Sequence, residues 1–476
     1  MKFPFQPIIA TIWLAGFSVT PIFAAAANTT GAVSQQTTKK QGLSRQELAQ
    51  FIKEEKQILP IDLDVPGQAF VSTGPFIGVP LQFDGSDLII NSPSINEDVK
   101  LLTVRKAIKE QLQAMGGTIA QEPYHSHLLL SGVVEGLINY TDIGGSPSMS
   151  SIDVSNASLD LFFMGPSDWL LGYIEYSFDS GPLPGDGYRI DNSRLYLNKA
   201  FVTIGNFAKS PVYGTFGQFY VPYGTYSSSM ISSPLTKLLG RTKARPILLG
   251  YQQEGDNAWY ASGFAFSGDS HVSVTNKIAN GGLNLGYKFK GQTIRGNVGG
   301  SIIGSLADSE GMQHGNGFNS FEQITHRVPG LNLRGSLNIL EHIDLSAEYV
   351  GASTRFNPND MSYNGHGAKP WATNLEAAYS FYVMEKPTSL SMDYGTSHDA
   401  LSLGMPLTRT AITLNTSLLH STLQALEFRH DHNYAASSTG NGPIGALTGG
   451  ATCASVTCTA TGKSDNAVTA TFDYYF

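Results

Sequence analysis

The side chains best placed to recognise a ligand are a scattered set of cations. Arg194, Lys288, Arg295, Arg334, Arg409 and Arg429 each fall on the polar face of an alternating segment, while Lys237, Arg241 and Lys243 cluster in the connection Tyr220–Lys243. A guanidinium is a rigid fork of donors that binds carboxylates in pairs of hydrogen bonds, and charged rings along a pore set its selectivity. Glu135, Asp160, Glu175, Glu348, Glu376 and Glu427 share the same polar faces. For any one cation, pairing with an acid across the wall is therefore the first expectation, ahead of substrate contact. Lys199 breaks the alternation of Leu195, Leu197 and Phe201, which predicts a bulge there.

Other chemistry is thin. His125/His127 and His430/His432 are spaced to share a strand face, which suits a transition metal or simply a polar strand end; rim histidines are the preferred reading. Cys453 and Cys458 are the only cysteines, and in an exported chain they are expected to form a disulfide rather than a metal site. No nucleophile elbow, phosphate loop, H-E-x-x-H or C-x-x-C is present, so neither an enzyme nor a resident cofactor is expected.

The elements that must position these residues follow from composition and period. Of 476 residues only 14% are charged, 11% are aromatic and 51 are glycine, with a net charge of -8. Globular domains carry about 25% charge, and an acidic chain is a poor partner for nucleic acid. Met1–Ala27 reads as a secretory signal peptide, with Lys2, an apolar run through Ile8–Val19, and small residues at Ala24 and Ala26. Residues 28–127 read as a periplasmic segment with two helices. The first, Leu43–Leu59, starts with a Ser44/Glu47 capping box; the second, Asn96–Met115, stops at Gly116-Gly117. Their apolar faces need cover from another copy in a homo-oligomer, from the barrel or from a periplasmic protein.

From Leu128 to Phe476 the period is two. Leu331, Leu333, Leu337 and Ile339 oppose Asn332, Arg334, Ser336 and Asn338, and similar alternation recurs through Ile343–Tyr349, Trp371–Phe381 and Leu283–Lys290. Short connections such as Glu254–Asn257, Lys290–Gln292, Leu340–His342 and Leu419–Ser421 alternate with long polar ones such as Tyr220–Lys243, Leu306–Arg327, Thr354–Lys369 and Asp431–Asn466. That layout predicts an all-β transmembrane barrel of about 16 antiparallel strands in the outer membrane of a Gram-negative bacterium, in contact with its lipid. The terminal strand, ending on Phe476, adds to the case. Residues 128–476 are the expected barrel, and the connection bearing Lys237, Arg241 and Lys243 is expected to fold inward as a constriction. A barrel of this size encloses a water-filled channel, whereas plugged transporters use about 22 strands.

The text of Pro66–Leu112, PGQAFVSTGPFIGVPLQFDGSDLIINSPSINEDVKLLTVRKAIKEQL, followed by a porin-like barrel, resembles the LbtU-type siderophore porins (the DUF3573 family) of intracellular gamma-proteobacteria. The resemblance implies uptake of ferric siderophores of polycarboxylate type. A general diffusion porin and an adhesin acting through Leu306–Arg327 and Asp431–Asn466 are the alternatives.

Overall fold

In a computed structural model, the described residues are 96–114, 127–144, 147–164, 167–179, 194–273, 277–313, 317–318, 321–340, 342–419, 421–444, 451–454 and 457–475. All fall within one compact unit, Leu59–Phe476. The signal peptide and the helix expected over Leu43–Leu59 lie outside them.

Alternating sequence becomes alternating wall. The barrel strands are β1 (His127–Ile143), β2 (Met149–Met164), β3 (Leu170–Asp179), β4 (Arg194–Asn206), β5 (Ser210–Tyr220), β6 (Ile247–Gln252), β7 (Ala258–Phe266) and β8 (Asn280–Lys290). They continue as β9 (Ile294–Ile303), β10 (Gly330–Ile339), β11 (Ile343–Ala352), β12 (Trp371–Val383), β13 (Lys386–His398), β14 (Thr408–Thr416), β15 (Thr422–His432) and β16 (Ser464–Tyr475). Each pairs antiparallel with its chain neighbour; β5 pairs with β6 through Val212↔Tyr251 to Phe216↔Ile247 and, beyond that, with the two-residue strand Lys243–Ala244. β16 closes on β1, from Val133↔Tyr475 to Ile143↔Asp465, so no open edge remains to be satisfied in lipid.

Exposure is inverted relative to a soluble protein. Ile152 is 84% exposed, Leu195 74% and Ile247 69%, whereas Asn332, Thr413 and Asn415 are 0% exposed. An exterior of Leu, Ile and Val around a polar interior is stable only in hydrocarbon. Aromatic pairs mark both rims: Trp259–Tyr287 (4.8 Å between centroids) near the short turns, Tyr349–Trp371 (6.3 Å) near the long connections. No described helix is long and apolar enough to cross a membrane.

The irregularity at Lys199 is a bulge: Glu175 opposes Lys199 but Tyr176 opposes Leu197, leaving Asn198 extra. The extra residue turns Lys199, Phe201 and Thr203 inward together. At the long-connection end, Ser362–Tyr363, His366–Gly367, Thr439–Asn441, Ala451–Ala454 and Thr457–Ala460 form a separate small sheet. Cys453 and Cys458 face each other in it and are disulfide-bonded.

Inside the barrel lies a helix, α1 (Glu97–Ala114). Asp98 Oδ1 accepts the Val99 N–H in its first turn. Val99, Leu101, Leu102 and Val104 are buried in one cluster with Phe201, Phe207 and Tyr213 of the wall. Gly205 makes the fit possible: a Cβ there would stand 2.8 Å from Tyr213 Cβ and 3.1 Å from Leu102 Cδ1.

Candidate pore constriction and its lumen

The connection 221–246 leaves β5 and crosses the lumen. Gly224, at φ 90°, makes the first inward turn and donates its N–H to Ser301 Oγ (3.0 Å) on β9. Carboxylates of the wall then collect the loop's backbone donors in order. Glu348 on β11 accepts from Thr225 N (2.8 Å) and Tyr226 N (2.7 Å). Glu376 on β12 accepts from Ser229 N and Oγ, and Glu427 on β15 from Ser232 N (3.0 Å). Two side chains of β14 hold the loop's carbonyls: Asn415 Nδ2 donates to Ser229 O (3.1 Å) and Arg409 Nη1 to Ser233 O (2.8 Å). The segment TYSSSMISS has the small, polar side chains needed to run extended along such a wall. Charge-assisted bonds of this kind are about twice as strong as neutral ones.

The loop then forms α2 (Leu235–Gly240), whose Leu235 and Leu239 are fully buried. Lys237 lies on α2, where burial, reinforced by the Arg241 guanidinium, lowers its ammonium pKa against the opposing pull of Glu310 and Glu135. Arg241 pairs through Nε with Glu310 (2.6 Å) and lies 4.7 Å over the Tyr220 ring. Lys243 Nζ donates to Asn198 Oδ1 (3.1 Å) and sits between the rings of Tyr196 and Tyr220, 5.6 Å from each. The three cations expected in the connection are thus gathered on its return limb.

The wall cations divide by environment. Arg334 is nearly buried. Its Nη1 donates to Asn332 Oδ1 (3.0 Å), and its Nη2 to Asn284 Oδ1 (2.5 Å) and Tyr260 OH (3.1 Å). Among the described residues its Nε has no hydrogen-bond partner. Arg334 lines a narrow, water-sized gap with Thr225, Asn297, Glu348 and Asn374. Lys288 lines an adjoining small gap with Asn96, Tyr260, Asn284 and again Thr225 and Asn297. Arg295 is half-buried opposite Lys290 and Asn338, and Arg194 begins β4 opposite Asp179 at the outer rim.

Arg409 and Arg429, both expected along the pore, meet at one acid, Asp431. Arg409 grips Asp431 by two bonds of 2.8 Å and spends its remaining arm on the loop, so it acts as a clamp rather than a cation open to solute. Arg429 also bonds Asp431, at 3.3 Å. The expected cross-wall pairing with Glu348, Glu376 and Glu427 gives way to the loop amides. Backbone N–H groups carry no sequence signal, so only the Ser/Thr run opposite three lumen glutamates hinted at it. His430 and His432 bond Asn466 and Ser464, and no described group of three metal-ligating side chains converges.

Comparison with known proteins identifies the family. No family model matches the chain. A UPF0422 protein of Coxiella burnetii is 39% identical over 410 residues, covering 85% of this chain and 84% of that relative. The chain belongs to the UPF0422 family. A UPF0422 protein of Legionella pneumophila strain Philadelphia 1 is 35% identical over 420 residues, covering 85% of the chain and 76% of the relative. Among solved structures, the outer membrane channel DcaP of Acinetobacter baumannii aligns with TM-score 0.48 and 15% identity, over 74% of this chain and 97% of that one. The anion-selective porin from Comamonas acidovorans aligns with TM-score 0.48 and 13% identity, over 74% and 100%. With its closed wall, apolar exterior and aromatic rims, the UPF0422 protein is a β-barrel of the Gram-negative outer membrane.

Proposed function

We propose that this barrel is a solute channel taking part in uptake of ferric siderophores of the polycarboxylate type, with Arg334 at the recognition point. The observation that carries the reading is the Arg334 site: a guanidinium oriented by Asn332, Asn284 and Tyr260, its Nε without a partner among the described residues, beside a water-sized polar gap under the inward loop. A ferric siderophore arrives with its iron already enclosed, so the channel has to recognise only outer carboxylates and hydroxyls. Arginine and amide donors suit these. Lys288 and Arg295 extend the cationic strip along β8 and β9, and Lys237, Arg241 and Lys243 line the approach past the loop. The resemblance of Pro66–Leu112 to siderophore porins supports the same substrate class. On this reading 1–27 is an export signal and 28–127 is a periplasmic-side segment whose helix α1 enters the lumen.

The test is binding of purified, refolded protein to a panel of ferric siderophores. Arg334→Ala is expected to weaken binding of the carboxylate type by roughly tenfold or more, the scale of a lost charge-assisted pair. Binding that is absent, or unchanged in Arg334→Ala and Arg295→Ala, overturns the assignment. The inward loop also favours a second reading, a general diffusion porin. A conductance indifferent to added siderophore would select it.

A further inference from the structure

α1 stands in the path of any solute. Its first residues lie halfway up the wall, where Glu97 meets Lys199 and Asp98 meets Thr215. Its later residues lie at the short-turn rim, where Arg105 donates to the carbonyls of Leu170 and Gly205 and Lys106 pairs with Glu254. An α-helix with side chains is about 10–12 Å across. With the inward loop already crossing above it, α1 occupies space on the periplasmic side of a lumen that strand number alone would leave to water.

Its polar contacts are of a kind that can be released. Lys199 holds two carboxylates, Glu97 Oε1 and Glu175 Oε2, each at 2.5 Å. If Glu97 leaves, Lys199 keeps Glu175, so no orphaned charge remains on the wall; an uncompensated buried charge is the usual penalty for breaking such a pair. Thr215 Oγ1 donates to Asp98 Oδ2 (2.7 Å) and lies 3.1 Å from Thr203 Oγ1, which remains as its partner. The Lys106–Glu254 pair is solvent-exposed and contributes little. Glu97 and Asp98 regain water on release. Lys199 and Thr215 on the wall thus keep polar partners when the helix is gone.

We infer that α1 is a removable plug: docked against β3, β4 and β5 it closes the pore, and its withdrawal toward the short-turn side opens it. The inference rests on the channel reading above and adds its regulation. The test uses the full chain in planar bilayers on a Cys453→Ser/Cys458→Ser background. There, Asp98→Cys with Thr215→Cys replaces a side-chain hydrogen bond by a disulfide that locks the helix. The locked form is expected to stay at low conductance, and reductant is expected to raise it severalfold. Glu97→Arg sets like charges against Lys199 and is expected to raise the open fraction without reductant. It provides the readout if the cysteine pair misfolds. Conductance identical in locked, reduced and Glu97→Arg forms overturns the plug and leaves the channel standing. No current from any form, Glu97→Arg included, overturns the channel and the plug with it.

Discussion

Glu376 accepts three hydrogen bonds from one residue: Ser229 N–H reaches both carboxylate oxygens, at 3.0 and 3.1 Å, and Ser229 Oγ donates at 2.6 Å. Membrane barrels place acids in the lumen as a matter of course, but among the described residues this one forms no ion pair with a cation. It anchors the backbone of a loop that crosses the pore, with Glu348 and Glu427 doing the same on either side.

Releasing those anchors should loosen the constriction. Hydrogen bonds to charged groups contribute ~1.5–3 kcal/mol each, so Glu348→Ala with Glu376→Ala removes enough to let the loop leave the wall. The expected outcome is noisier and larger single-channel current with little change in barrel unfolding. An unchanged current trace would mean that the loop is held elsewhere.

Arg409 is expected to matter for stability more than for solute. Removing one partner of a buried pair costs about 3–5 kcal/mol, so Arg409→Ala should lower the urea midpoint of the detergent-folded barrel. Arg409→Lys should recover only part, because a lysine cannot reproduce the paired grip on Asp431. Siderophore affinity per folded molecule should stay near wild type.

Docking of α1 should weaken as pH rises. Glu97 faces Lys199 on β4, Glu175 on β3 and, farther off, Asp160 on β2, with Lys100 on its own helix. Burial outweighs the attraction of Lys199 and lifts its carboxyl from 4.5 to about 7. Burial raises Asp98 as well, against the Thr215 hydrogen bond. A carboxyl whose pKa is higher docked than free takes up a proton on docking. Its contribution is therefore full below the free value and is lost as pH rises through about 7. The open fraction should climb between about pH 5 and about pH 8, and Glu97→Gln should flatten most of that slope. A wild-type channel insensitive to pH over this range would contradict the assignment.

The disulfide should act locally. Cys453 and Cys458 are separated by only five residues in sequence, and so short a closed loop is worth ~2 kcal/mol in the chain-entropy account. Cys453→Ser/Cys458→Ser should leave the unfolding midpoint of the barrel unchanged while speeding proteolysis within the connection 433–463. A lowered barrel midpoint would show that the small sheet is coupled to the wall.

Period two from Leu128 onward, with connections alternating short and long, was enough to read the cylinder, its strand number and which residues face lipid. A strand has only two faces, and lipid demands that one be apolar. The Lys199 irregularity was readable for the same reason, since one extra residue flips parity. The inward position of the Tyr220–Lys243 connection was legible as an expectation from its length and its cations. What tertiary structure alone decided is which groups meet across the lumen. Glu348, Glu376 and Glu427 take backbone amides, which no side-chain pattern encodes. Arg409 and Arg429 converge on Asp431 because adjacent strands bring them together in register. The apolar stripe of α1 called for cover without naming it, and closure of the barrel supplied that cover in Phe201, Phe207 and Tyr213. Facing is a local property of a strand, whereas partnership depends on distances set only when the last strand joins the first.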